Sequence, residues 1–317
     1  MTGSAGTTRA TPSGPPGPPA SPGPSRRPAL LGWLIAVVRT ARPRQWPKNL
    51  LVFAAPVAGA SLGRDDGLGY ALVAAAAFVA ASSAVYFVND VADAERDRSH
   101  PYKRYRPVAA GDLPPAQALV LAAACAAAAL AAGFWIREPR LIAVMAAYLV
   151  TSFLYSFALK HVPVVELLFV ASGFVLRALA GAIATHVPPS GWFLLVCSLG
   201  ALMVASAKRF SELTVLGTDG ARHRPAMRWY SPAGLRLCQR ITGVAMIIAY
   251  LLWARGEPSA WMRDWHLASA VPLAVALARF DRLTGRATSK PVEDLIARDV
   301  VMVCCELAWL ALFAVGL

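Results

Sequence analysis

The strongest chemical signal in the chain is the run Asn89-Asp90-Val91-Ala92-Asp93-Ala94-Glu95-Arg96-Asp97, an NDxxDxxxD pattern. On a helix Asp90, Asp93 and Asp97 stand at i, i+3 and i+7, and Asn89 lies four residues before Asp93. Three carboxylates and an amide therefore share one face over about two turns. Carboxylates that close repel one another unless a cation joins them. Mg²⁺ is the natural partner, because it prefers hard oxygen ligands and keeps waters that exchange for phosphate oxygens. A solvated acidic helix end balanced by Arg96 and Arg98 is the plainer reading of the same letters. The cluster, however, closes an apolar stretch and has Tyr86 one turn ahead of it. That placement favours a metal site with Asn89, Asp90, Asp93 and Asp97 as ligands and the three aspartates as catalytic residues.

Cations and phenols recur near this signal. The following run, Arg98-Ser99-His100-Pro101-Tyr102-Lys103-Arg104-Tyr105-Arg106-Pro107, interleaves basic and aromatic residues. A diphosphate with bound Mg²⁺ still carries excess negative charge, which Lys103, Arg104 and Arg106 are suited to neutralise. The positive-inside bias of membrane proteins is the competing explanation. Lys208-Arg209-Phe210-Ser211-Glu212 sets Lys208 and Glu212 one helical turn apart, a combination that suits a polyphosphate and an orienting carboxylate. Tyr155 and Lys160 add a phenol and an ammonium, and Lys48 lies in Arg42-Pro43-Arg44-Gln45-Trp46-Pro47-Lys48-Asn49. Snorkelling and headgroup anchoring explain these last groups about as well as phosphate binding. The candidate substrate-binding residues are thus Lys48, Tyr86, Lys103, Arg104, Arg106, Tyr155, Lys160, Arg209 and Glu212, with Lys208 grouped among the catalytic ones. Glu166 and Arg177 are eleven residues apart, about three turns, and so share a helix face. Intramembrane charges are costly and usually paired or functional, and Glu306 falls under the same rule.

The elements that must position these groups are membrane helices. Of 317 residues, 57% are hydrophobic and only 15% charged, against about 25% charged in soluble domains. Mean hydropathy is +0.50. Apolar blocks near the length needed to cross a hydrocarbon core of about 30 Å fall at 48–63, 68–88, 115–135, 141–158, 163–184, 191–207, 238–254, 265–279 and 299–317. The expectation is an all-α polytopic membrane protein of nine transmembrane helices with cytosolic loops capping the active site. With the N-terminus inside, 25 of the 31 Lys and Arg lie on the inner side and five on the outer, Arg177 being the remaining one. This fixes the orientation and makes the net charge of +13 a matter of topology, not of nucleic-acid binding. The two long inner loops, 89–114 and 208–237, hold most of the candidate residues.

Three regions follow from composition: a Pro/Gly-rich tail at 1–28 expected to be disordered, an interfacial amphipathic helix at 29–47, and a transmembrane catalytic domain at 48–317. The five cysteines, Cys125, Cys197, Cys238, Cys304 and Cys305, show no metal-ligand spacing and suggest no disulfide.

The polytopic pattern with NDxxDxxxD after the second helix resembles the UbiA superfamily of intramembrane prenyltransferases. Closer agreement lies in RPRQWPKNLLVFAAP (42–56), NDVADAERDRSHPYKRYRPVAAG (89–111), LYSFALK (154–160), ELLFVASGFVLRALAGA (166–182) and KRFSEL (208–213). These look like the branch that transfers phosphoribosyl groups to decaprenyl phosphate. The resemblance implies a UbiA-like bundle in the plasma membrane, Mg²⁺ as cofactor, phosphoribosyl diphosphate as donor and a polyprenyl phosphate as acceptor. It further implies a place in the synthesis of the lipid-linked arabinose donor of cell-wall arabinogalactan. Ordinary superfamily members carry a second aspartate-rich motif where this chain reads Lys208-Arg209-Phe210-Ser211-Glu212. That departure counts against the alternative of a prenyl diphosphate-dependent enzyme acting on an aromatic or glycerol-phosphate acceptor. A transporter or lipid-binding scaffold is disfavoured because the charges gather at one face and do not line a path. A homo-oligomer stays open.

Overall fold

A computed structural model describes residues 29–64, 66–100, 102–159, 162–216, 229–285 and 292–317. The expected disordered tail, 1–28, and Lys160 lie outside the described residues. Among the described residues all regular structure is helical. Helix α1 (Ala29–Ala41) is followed by a 3₁₀ segment, Pro43–Phe53, and by α2 (Ala54–Ala58). Then come α3 (Gly67–Ala92), α4 (Ala94–Arg98), a 3₁₀ turn (Lys103–Tyr105) and α5 (Pro107–Ala110). The remaining elements are α6 (Pro115–Ile136), α7 (Pro139–Phe157), α8 (Val165–Ala184), α9 (Gly191–Leu216), α10 (Pro232–Arg255), α11 (Ala260–Thr284), α12 (Val292–Ala297) and α13 (Val300–Val315).

Six of these, α3 and α6 to α10, are long and apolar enough to cross a membrane. The other three expected spans take different forms. The 265–279 block lies inside α11, a 25-residue helix with charged residues towards both ends, and 299–317 forms the 16-residue α13. The 48–63 block is not one α-helix. Pro43 and Pro47 lack N–H donors and crowd the preceding turn, and the chain there takes the narrower 3₁₀ form up to Phe53. With a rise of about 2.0 Å per residue that form covers more distance than an α-helix of equal length. It runs parallel to α8: Asn49 meets Arg177, Val52 meets Gly181 and Gly59 meets Val187. Gly181 is required here, since a Cβ would lie 1.7 Å from the Val52 carbonyl oxygen. The amphipathic helix expected over 29–47 likewise stops at Ala41, where Arg42 turns left-handed at φ 55°.

Small residues set the packing. Ala74, Ala77, Ala81 and Ala84 of α3 share one core with Ala129 and Ala132 of α6, Met145 of α7 and Ala180 and Ala184 of α8. Close approach of helices through small side chains is the usual mode of association in lipid. Consecutive long helices alternate in direction, so the end of α3, the start of α8, the end of α9, the start of α10 and the end of α11 all emerge at one end of the bundle. Arg209 meets Glu166 there, Arg236 meets Asp281, and Arg279 meets Asp299. The opposite end carries Tyr70, Trp135 and His186 and the bond from Trp261 Nε1 to the Val315 carbonyl.

Candidate active site

Two of the charge networks at the polar end hold most of the candidate residues. The first is built where α3 leaves the bundle. Asp90, 2% exposed, is the last buried residue of α3. Asp93 interrupts the helix, yet its N–H donates to the Asn89 carbonyl at 2.9 Å, and the Asp97 N–H donates to the Asp93 carbonyl at 2.8 Å. The helical path is therefore kept, and Asp97 follows Asp90 by two turns. Arg42 Nη2 donates to Asp90 Oδ1 at 2.5 Å, with its guanidinium 4.6 Å from the Tyr86 ring centroid. Arg106 Nη1 donates to Asp97 Oδ2 at 2.6 Å and lies 3.5 Å from Asp90 Oδ1. Two buried carboxylates thus converge on one guanidinium.

The loop bearing Arg106 is clasped from both sides. Ala36 of α1, Phe87 of α3, and Ala94, Val108 and Leu113 of the loop form a common apolar cluster. Arg39 Nη2 donates to the Tyr105 carbonyl at 3.2 Å, and Arg98 Nε donates to the Ala109 carbonyl at 3.3 Å.

Asp93 does not join Asp90 and Asp97. Its carboxylate pairs with Arg96 and is 29% exposed, so the expected single face of three carboxylates is reduced to two. Among the described residues no three His, Cys, Asp or Glu side chains stand close enough to hold a metal ion. The donor set still fits Mg²⁺, which is commonly held by one or two carboxylates with substrate phosphates completing its shell. Asn89 is half-buried beside the pair.

The second network joins α7, α8 and α9. Arg209 is buried and donates from Nη1 to Glu212 at 2.5 Å and from Nη2 to the Tyr155 hydroxyl at 3.1 Å. Its Nε lies 2.9 Å from Glu166 Oε1, and the Glu166 side chain is fully buried. The Val164 N–H donates to the Tyr230 hydroxyl at 2.7 Å, and burial pushes the Tyr230 phenol above its usual range. Arg209, Glu212 and Tyr155 are thus brought together, but chiefly with one another. Arg177 behaves similarly deeper in the bundle, donating to Asn49 Oδ1, the Gly173 carbonyl and the Tyr148 hydroxyl. Glu166 and Arg177 share α8 but serve different partners.

Lys103 and Lys208 are exposed at the polar end, and Lys48 is half-buried in the 3₁₀ segment. Arg104 is exposed and donates to the hydroxyl of its neighbour Tyr105 at 2.7 Å. The sequence offered Arg42 as an interfacial anchor or a phosphate-binding cation, not as the partner of Asp90, and did not link Glu166 to Arg209. The partners lie 48 and 43 positions apart, beyond any local spacing rule. The one local hint at Arg42 is the proline after it, which restricts its backbone.

The model of the UbiA prenyltransferase family matches residues 50–293. The decaprenyl-phosphate phosphoribosyltransferase of Mycobacterium tuberculosis (strain ATCC 25618 / H37Rv) is 40% identical over 280 residues, covering 87% of this chain and 92% of that protein. The protein of the same name from Corynebacterium glutamicum is 34% identical over 278 residues, 86% of this chain and 84% of its own length. Among solved structures, a UbiA homolog from Archaeoglobus fulgidus bound to GPP and Mg²⁺ superposes with a TM-score of 0.67 at 15% identity, over 89% of this chain and 98% of that one. The apo structure of a UbiA homolog from Aeropyrum pernix K1 gives 0.60 at 17% identity, over 86% and 98%. These structural likenesses concern the fold.

Proposed function

The chain belongs to the UbiA prenyltransferase family, and from that premise we propose that it transfers 5-phosphoribose from phosphoribosyl diphosphate to decaprenyl phosphate. The observation that carries this reading is the 34–40% identity, over most of the chain, to proteins named for that transfer. The site supports it physically: an acidic pair lies at the polar end of the bundle against Arg42 and Arg106, and Lys103 and Lys208 are exposed at that end.

In the reaction an oxygen of the acceptor phosphate forms a bond to ribose C1 while the C1–O bond to diphosphate breaks, and the diphosphate leaves with the bonding electrons. The acceptor oxygen is already anionic at neutral pH, so no general base is nominated. Asp90 and Asp97 would hold Mg²⁺, with Asp93 able to join only by leaving Arg96 and Asn89 adjacent in the helix, and there the ion would supply neutralisation of the departing diphosphate. Arg106, Lys103 and Lys208 supply further positive charge, and electrostatic stabilisation of this kind is commonly the largest catalytic effect. Arg209 acts one step back, fixed by Glu166 and Glu212, and keeps α7, α8 and α9 in register beneath Lys208. Lys48 and Tyr155 are the described candidates for the acceptor phosphate, whose polyprenyl chain would lie between helices. Direct attack inverts C1. The polar end faces the cytosol, and the bundle sits in the plasma membrane.

The test uses purified protein in detergent, radiolabelled phosphoribosyl diphosphate, decaprenyl phosphate and Mg²⁺. Label entering an organic-extractable lipid, stopped by EDTA, is the expected result. No transfer by a folded preparation that instead consumes a prenyl diphosphate and an aromatic acceptor would overturn the reading.

A further inference from the structure

Arg42 takes no part in the transfer just described, yet its guanidinium lies within the carboxylate site. It follows α1, whose inner face is pinned to the Arg106 loop through Ala36 and through the Arg39 bond to the Tyr105 carbonyl. The residue is held in a left-handed conformation, φ 55° and ψ 64°, which is unfavourable for a side chain bearing a Cβ. Its guanidinium lies over Tyr86 and pairs with Asp90 at 2.5 Å, the two side chains being 30% and 2% exposed. Asp90 is enclosed by the bundle, whereas the Arg42 side chain is partly exposed.

The charges of the site have a simple balance. Asp90 and Asp97 are matched by Arg42 and Arg106, so the network is neutral as it stands. A divalent ion alone would leave an excess of two positive charges. A diphosphate ester, with one charge on its inner phosphate and close to two on its terminal one, absorbs that excess. We propose that Arg42 is an exchangeable cation of this site: it yields Asp90 to the divalent ion and turns to the diphosphate, so that ion and diphosphate bind as a coupled pair. This rests on the reading that the site receives a metal-bound diphosphate.

Mn²⁺ binding, followed by electron paramagnetic resonance of the full-length protein with and without inorganic diphosphate, tests it without turnover. In the wild type, diphosphate should raise Mn²⁺ affinity about tenfold or more. Arg42→Gln strips a charged hydrogen bond from Asp90 and should bind Mn²⁺ alone about tenfold more tightly. The coupling to diphosphate should fall by a similar factor. Arg42→Lys keeps the charge and should stay within about threefold of wild type for Mn²⁺ alone. Unchanged or weaker Mn²⁺ binding by folded Arg42→Gln overturns the proposal. Where that variant does not fold, absence of coupling in the wild type does so. Coupled binding without phosphoribosyl transfer would leave the exchange standing and refute only the assignment of the donor.

Discussion

Replacing Glu166 by Gln decides whether Arg209 is a fixed strut or a ligand for phosphate. The side chains of Glu166 and Arg209 are 0% and 3% exposed, and Nε lies 2.9 Å from Oε1. Breaking a buried ion pair by removing one partner costs about 3–5 kcal/mol. Gln keeps a neutral oxygen facing Nε, close in distance but not aligned as a hydrogen bond, and so recovers no more than about 1 kcal/mol. Glu212, 2.5 Å from Nη1, continues to neutralise the guanidinium. The expected loss is about 2 kcal/mol, which for a large domain lowers the unfolding midpoint by roughly 4–8 °C. Arg209→Met deprives two carboxylates of their guanidinium and should cost more, about 3–5 kcal/mol. Combining it with Glu166→Gln removes one of those buried charges, so the double variant should lose about 2 kcal/mol less than the sum of the singles. Thermal unfolding in detergent micelles measures all three. Losses that add to within about 0.5 kcal/mol would refute the strut. So would an unchanged midpoint in Glu166→Gln accompanied by a large rise in KM for the donor, which would show Arg209 serving the substrate directly.

Asp97→Asn discharges the partner of Arg106 and removes one of two converging carboxylates, so kcat should fall by about 100-fold or more with the unfolding midpoint little changed; near-normal turnover would exclude Asp97 from the metal site. Gly181→Ala drives a Cβ into the Val52 carbonyl, and overpacking of this kind costs about 1–3 kcal/mol, visible as a lower unfolding midpoint; an unchanged midpoint would mean that the 3₁₀ segment does not press on α8. Asp299, just ahead of α13, is held below the usual carboxylate range first by its hydrogen bonds to Arg279 and then by the Met302 N–H. A depressed folded-state pKa stabilises above the unfolded value, and that stability is lost as pH falls through the folded one. Wild type should therefore be more stable than Asp299→Asn at neutral pH, with the difference closing on acidification below the ordinary aspartate range; a gap independent of pH would refute the ionic origin.

Long apolar helices were legible from composition because lipid imposes one length and one polarity on every crossing. The 3₁₀ segment was not. Residues 48–63 read as an ordinary apolar block, and only Pro43 and Pro47, together with the need to pass Gly181, distinguish it. The acidic pattern located the carboxylate site, because Asp90, Asp93 and Asp97 are local in sequence. Which of them converge was set by Arg106 and Arg42, placed there by a folded loop and by α1, and no spacing rule reports that. Likewise Glu166 and Arg177 share a helix face, but the cation that Glu166 meets comes from α9.

The basic residues of the bundle and its polar end sort by burial, and the sorting separates their work. Arg177 and Arg209 are 7% and 3% exposed, and each is committed to oxygen atoms of at least two other helices or segments. A guanidinium out of water needs oppositely charged or accepting groups around it, so these residues hold helices at fixed spacing and cannot turn to an arriving anion without stranding Glu166 or Asn49. Lys103 and Lys208 stand exposed at the same end. Arg106 and Arg42 lie between these extremes, 28% and 30% exposed, each against a carboxylate that is almost wholly buried. Partial exposure combined with a buried partner is what an exchange between carboxylate and phosphate demands. The chemistry is therefore expected at the end of α3, while the Glu166–Arg209 network ties α8 to α9 at the same end of the bundle.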